Sequence, residues 1–341
     1  MLKRTSPLHK GDADQELGGA PAPPSSHAGR RWAGFNWADN AVYVGFLGVF
    51  AYFTVTLHGS GFLSGQNFAT IIQATTPITI MACATVYVLS CAEIDLSIGS
   101  IVALAALIGA VTVNQYGIVA GIAAGLATGL LAGLLNGVLV VQLRVPSFLI
   151  TLGTMELFAG GAELVTHLQD VPVSDVPFNT VMGSGFIAGL PTTVLWSVAG
   201  LFIAHSVLRH TAFGQRVLAT GDNRISARSV GINTSRVRIA VLTLSGGAAG
   251  LAGLIYTGEI HGAIYTLGAN DMLTTLAAVV IGGTSLFGGR GSIAGAFVGS
   301  VLMGVIRNGL ILSGLSASQQ RVVTGLIIVV AVAISQRQSR D

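Results

Sequence analysis

Apolar stretches recur through this chain, at roughly 39–57, 68–89, 98–114, 118–142, 147–165, 192–208, 238–257, 271–287, 292–312 and 322–335. Each approaches about 20 residues, the length at which a helix crosses a hydrocarbon core of about 30 Å. No family of short alternating segments marks an outer-membrane barrel. Charge agrees: Asp, Glu, Lys and Arg make up 9% of the 341 residues and the mean hydropathy is +0.74, whereas soluble domains carry roughly 25% charged residues. The predicted fold is all-α, a polytopic membrane protein with ten or so transmembrane helices. The divisions at 90–97, 143–146 and 288–291 rest on very short linkers.

Charge also orients the chain. Between Arg209 and Arg238 lie six arginines, with Asp222 as the only acid, while residues 163–191 hold Glu163, Asp170 and Asp175 and no Lys or Arg. The positive-inside rule puts the first segment in the cytoplasm and the second outside, and ten crossings with both termini cytoplasmic satisfy both. Residues 1–36, rich in Pro, Gly, Ser and charges of both signs, read as a disordered cytoplasmic tail, followed by a transmembrane domain over 37–336 and a short tail over 337–341. Cys83 and Cys91 lie in or beside one apolar stretch and read as reduced core residues, with no metal site expected.

Gly121, Gly125, Gly129, Gly133 and Gly137 repeat every fourth residue, forming a smooth stripe along one helix face. Another helix can approach such a stripe closely, so this helix is expected at the centre. Asn136 stands at its end, an amide in apolar surroundings that must join helices or face a polar pathway. Thr151, Thr154 and Glu156 pose the same question in PSFLITLGTME. In CAEIDLSIGS, Asp95 or Ser97 can cap the helix that follows. Glu93 has no such role and reads as a charged group at an inner mouth or as a partner for a cytoplasmic arginine.

The segment 209–238 is too polar to cross a bilayer and too short for an ATPase domain, and no Gly-Lys phosphate loop occurs in the chain. Any nucleotide hydrolysis would belong to a partner. Within this segment, residues 222–230 can form a short helix opened near Asp222 and stopped at Gly231, suited to a socket on another protein.

CAEIDLSIGS, LNGVLVVQLRVPSFLITLGTM, GDNRISARSVGINTSRVR and LAAVVIGGTSLFGGRGSIAGAFVGSVLMGVIRNGL together resemble the inner-membrane permease of bacterial sugar ABC importers, the ribose, xylose, galactoside and arabinose group. The resemblance runs from about residue 40 to residue 335. It implies a monosaccharide substrate, a second permease subunit, a periplasmic sugar-binding protein, and a cytoplasmic ATPase that holds ATP and Mg, commonly as two domains in one chain. The permease itself would bind no cofactor, catalyse no covalent reaction and have no nucleic-acid partner. The loop containing Asp222, Asn223, Ala227, Arg228 and Gly231 would supply the coupling helix. Asn136, with Thr151 and Asn308 as companions and Glu93 at the mouth, would line a low-affinity passage, since an amide offers sugar hydroxyls both donor and acceptor. Two departures stand out: Ala92 and Glu93 replace a glycine pair frequent in the family, and ANDMLTTLAAVV replaces a Glu-Leu opening, leaving Asp271 and Thr275 at unusual places. The competing class is a cation-coupled secondary transporter, whose broken helices and midplane polar groups the 90–97 break and Glu156 would imitate.

Overall fold

Glycine, proline and small polar side chains mark the breaks in this backbone, and the apolar runs between them are helical. The computed structural model describes residues 37–338; the tail expected over 1–36 lies outside the described residues, as do residues 339–341. In chain order come α1 (Trp37–Thr56), α2 (Gly65–Ser90), α3 (Ile98–Tyr116), α4 (Ile118–Leu143) and α5 (Ser147–Thr166). Then follow β1 (Val171–Pro172), α6 (Val176–Asn179), a π-helical turn (Thr180–Ser184), β2 (Phe186–Ile187) and β3 (Leu190–Pro191). The remainder is α7 (Thr192–His210), α8 (Ala212–Asp222), α9 (Arg224–Ser229), α10 (Thr234–Ile260), β4 (Gly262–Ala263), α11 (Asp271–Ile281), α12 (Ile293–Leu312) and α13 (Ala317–Gln338). The fold is all-α; the strands among the described residues form two antiparallel two-residue ladders, β1 with β4 and β2 with β3.

Among the described residues seven helices, α2 to α5, α7, α10 and α12, are long and apolar enough to span a membrane, and Val42–Thr56, Asp271–Ile281 and Ala317–Val330 are shorter apolar helices. One expected span is corrected. The stretch 271–287 is helical only to Ile281, because Gly282 and the left-handed Gly283 (φ 86°) end α11. Its eleven residues rise about 16 Å, roughly half a hydrocarbon core. The chain then runs as a loop through Gly288 (φ 90°) and Gly289 (φ 75°), where the Gly289 N–H donates to the Ser90 carbonyl at the end of α2 (3.0 Å).

The core lies along α2 and α10. Residues Thr75–Ser90 of α2 are buried without interruption, and α10 packs against α2, α3 and α4. The glycine stripe explains how α4 comes so close to α10. A methyl group added at Gly129 would reach the Gly250 backbone at 2.9 Å, one at Gly133 the Gly246 Cα at 3.0 Å, and one at Gly137 the Ile239 Cα at 2.8 Å. At Gly125 it would meet the Leu254 side chain at 2.7 Å; Gly121 turns instead to α3, with the Val113 backbone at 2.9 Å. The neighbouring atoms are mostly backbone and cannot step aside, so a side chain at these positions costs about 1–3 kcal/mol or more.

At one end of the bundle, α7 closes with Arg209 and His210 and the chain turns into α8 and α9. The Thr211 hydroxyl accepts from the Gly214 N–H (3.3 Å), the Asn223 amide oxygen from the N–H groups of Ile225 and Ser226 (3.0 Å each), and the Asn233 amide oxygen from the Arg236 N–H (3.0 Å). These caps shift the sequence-derived boundaries. The short helix starts after Asn223 rather than at Asp222, and α10 begins at Thr234, which takes Arg236 and Arg238 out of the loop and into a helix. Gly231 (φ 88°) follows the short helix, as expected of a left-handed stop.

Candidate functional site

The break between α2 and α3 gathers side chains from four other helices, α4, α5, α9 and α10. α2 ends in a Schellman turn: the Ala92 N–H donates to the Leu89 carbonyl (2.9 Å) and the Glu93 N–H to that of Val88 (3.0 Å), with Ala92 left-handed at φ 57°. Glycine is the usual residue there. Residues 94–96 have no helical partners, and α5 supplies them. The Ser147 hydroxyl accepts from the Ile94 N–H (2.9 Å), and that of Thr151 accepts from the Leu96 N–H (3.0 Å) while donating to the Ile94 carbonyl (3.2 Å).

Asp95 is the hub of the inner part of the break. One carboxylate oxygen accepts from the Ser97 N–H (2.9 Å) and hydroxyl (2.7 Å), the other from the Ser245 hydroxyl of α10 (2.7 Å). Ser97 in turn accepts from the Asn136 amide of α4 (2.7 Å). The expected cap is corrected in its detail: Ser97 occupies the N-cap position but its hydroxyl caps no helix amide, because Asp95 and Asn136 engage it. Asn136 is fully buried and its amide oxygen has no hydrogen-bond partner.

Glu93 closes the outer part of the break. Its Oε1 accepts from Arg224 Nη2 of α9 (2.8 Å) and from Arg238 Nε of α10, and its Oε2 accepts from Arg238 Nη2 (3.2 Å). Glu93 is 2% exposed. Of the two readings of Glu93, the pairing with an arginine of the 209–238 segment is the one found, twice over, and with two guanidinium groups on its carboxylate Glu93 does not border an opening. Arg238 stands about 6 Å along α10 from Thr234 and Ser245 about 16 Å, so the break climbs from the arginine-rich end into the bundle.

Sequence-derived residues fall in three places. Asn136, Thr151, Asp95, Ser97 and Glu93 meet at the break. Asn308 does not; it exchanges amide hydrogen bonds with Asn67 at the first turns of α2 (2.8 and 3.0 Å), toward the opposite end of that helix. Asn223, Arg228 and Gly231 build the α9 turn, Arg228 Nε donating to the Thr234 hydroxyl (2.8 Å), and Asp222 ends α8. Ala227 is 4% exposed and faces its own chain, whereas Ile225 and Val230 are 82% and 76% exposed. Ala227 thus lies in the short helix as expected of its position, and packs against its own chain. Ser147, Ser245, Arg224 and Arg238 had no individual sequence signal; they are hydroxyls and arginines whose importance comes from distant chain.

Other polar groups lie apart. Tyr256 of α10 donates to Asp271 at the start of α11 (2.7 Å), and the Thr275 hydroxyl is buried without a partner. Glu156 is exposed halfway along α5. An open cleft of about 240 Å³, lined in part by Ser174, Asn179, Ser184 and His261, is formed where the segment after α5 meets the end of α10. Cys83 and Cys91 are free and buried, and no cluster suited to a metal ion occurs among the described residues.

A polytopic helical bundle broken at a buried polar site has the build of a membrane transport subunit. The family model described as branched-chain amino acid transport system / permease component matches residues 67–332, and the chain belongs to this family. It is a multi-pass inner-membrane permease of the ABC importer type and not an enzyme. It is 35% identical over 299 residues to the ribose import permease protein of Bacillus subtilis, covering 86% of this chain and 92% of that one. Against the ribose import permease protein of Escherichia coli K12 the identity is 34%, over 81% of this chain and 88% of the relative. Against the fructose import permease protein of Rhizobium meliloti it is 34%, over 82% and 80%. No solved structure matches the chain.

Proposed function

We propose that this permease carries a monosaccharide, received from a periplasmic binding protein, through a passage between two copies of the chain, and that a cytoplasmic ATPase drives it through α9. The observation that carries this reading is the construction of α9. Apolar Ile225 and, at the helix's C-cap, Val230 are exposed, while Arg224 reaches back into the break. A gradient-driven carrier has no use for such a helix. Relatives named for ribose and fructose import support a neutral sugar, and the hydroxyl and amide chemistry of Asn136, Thr151 and Ser97 suits one.

In this reading the arginine-rich end faces the cytoplasm, and α1 to α5, α7 and α10 to α13 make ten crossings with both termini inside, α11 being completed by its glycine loop. Glu156 belongs to the passage: an ionised carboxylate facing lipid at mid-depth costs roughly 2.5–3.5 kcal/mol, and a water-lined surface between two subunits removes that cost. The test is uptake of radiolabelled ribose, fructose, xylose, arabinose and galactose by cells producing the permease with its cognate ATPase and binding protein. Accumulation of one of them that disappears when the ATPase cannot hydrolyse ATP is the expected result. Uptake that survives this change but collapses with the ion gradient would overturn the reading in favour of a cation-coupled carrier.

A further inference from the structure

We propose that Glu93 positions the coupling machinery: its carboxylate clamps the first residue of α9 to the α2–α3 break, so that a displacement of α9 is felt at Asp95 and Asn136. The inference rests on the importer reading and names the residue through which that reading works. α9 has few ties to the bundle. Asn223 caps α9 itself, Arg228 holds the neighbouring Thr234, and among the described residues Arg224 is the only α9 side chain hydrogen-bonded to the break. Close packing makes the reach possible: a methyl group added at Gly221, near the end of α8, would overlap the Ser90 carbonyl.

From Glu93 the path inward has little slack. Ile94, the next residue, is gripped through both its N–H and its carbonyl by Ser147 and Thr151. Asp95 follows at once, binding Ser97 and Ser245, and Ser97 binds Asn136. A shift of the Glu93 carboxylate therefore cannot be absorbed before it reaches the start of α3.

The two arginines are unequal. The Arg224 side chain is 36% exposed, and that of Arg238 is 10% exposed inside α10. Arg224 can leave the carboxylate for a group on the docked ATPase, while Arg238 stays and keeps the buried acid paired. In both states the buried carboxylate keeps a partner, which a lone ion pair could not provide once its arginine left.

The test uses the complete complex of permease, cognate ATPase and cognate binding protein in lipid nanodiscs, with the sugar that the uptake panel selects. The readout is the ratio of ATP hydrolysis with and without sugar-loaded binding protein, with subunit assembly measured separately. Arg224→Gln, at a half-exposed position, is expected to assemble fully and to lower that ratio about tenfold. Glu93→Gln is expected to do the same, and the double variant to lose no more than either single one, because both remove one link. A wild-type ratio in fully assembled Arg224→Gln would overturn the clamp, as would a double variant whose losses multiply. A wild-type complex whose hydrolysis none of the panel sugars stimulates would overturn the importer reading, and the clamp with it.

Discussion

Asn136 is where a single atom has a question attached. Its amide nitrogen is bonded to Ser97 and its amide oxygen, fully buried, to nothing. An acceptor left in that state costs about 1–3 kcal/mol, a cost relieved whenever a hydroxyl arrives, and a passing sugar carries several. Asn136→Leu is therefore expected to reduce transport about tenfold at saturating binding protein and ATP, with dimer assembly preserved. Equal losses of assembly and transport would make the amide a helix joint and nothing more. This residue was legible in the sequence because an amide among glycines and leucines is conspicuous. Glu93 was legible only as a question. Its partners lie 131 and 145 positions away, and no local pattern says which of the many arginines will turn toward it. The same holds for Ser245, a small hydroxyl whose tie to Asp95 only the packing of α10 creates.

Among the elements, α9 most directly joins structure to function, and it comprises six residues. Its inner side holds Ala227, so a bulky charge there would unseat the helix from its own chain before it disturbed a partner. Ile225 is the cleaner probe. Ile225→Asp is expected to weaken binding of the purified ATPase at least tenfold, the effect of losing an apolar anchor at an interface, while permease stability in detergent stays unchanged. Unaltered affinity would remove α9 from the interface. Helices as a class were readable because span length is set by the bilayer and apolar runs report it directly. α11 was misjudged because Phe287 and its apolar neighbours prolong the hydrophobic signal past Gly282, where the backbone has already turned. The connections between α5 and α7 were read only as an acidic loop, since two-residue ladders and a π turn leave no periodicity to detect.

At the scale of the molecule, the six arginines around α8 and α9 and the acids Glu163 in the last turn of α5 and Asp170 and Asp175 beyond it divide the surface into two unlike ends. Single cysteines at Ile225 and at Val176, both well exposed, are expected to react with a membrane-impermeant maleimide from opposite sides, Val176 in intact cells and Ile225 only after lysis. Labelling of both in intact cells would sink the ten-crossing topology. The native Cys83 and Cys91, being buried, leave a low background. The seam between α4 and α10 bears on how such a protein is made. Its two halves leave the ribosome far apart: α4 is finished at Leu143 and α10 only at Ile260. At 5–20 residues per second that interval is on the order of ten seconds. Throughout it the bare groove of α4 sits in lipid, open to any small-residue helix that drifts past, including α4 of a sister chain. Correct assembly of this permease thus requires that groove to stay vacant until its own later helix arrives.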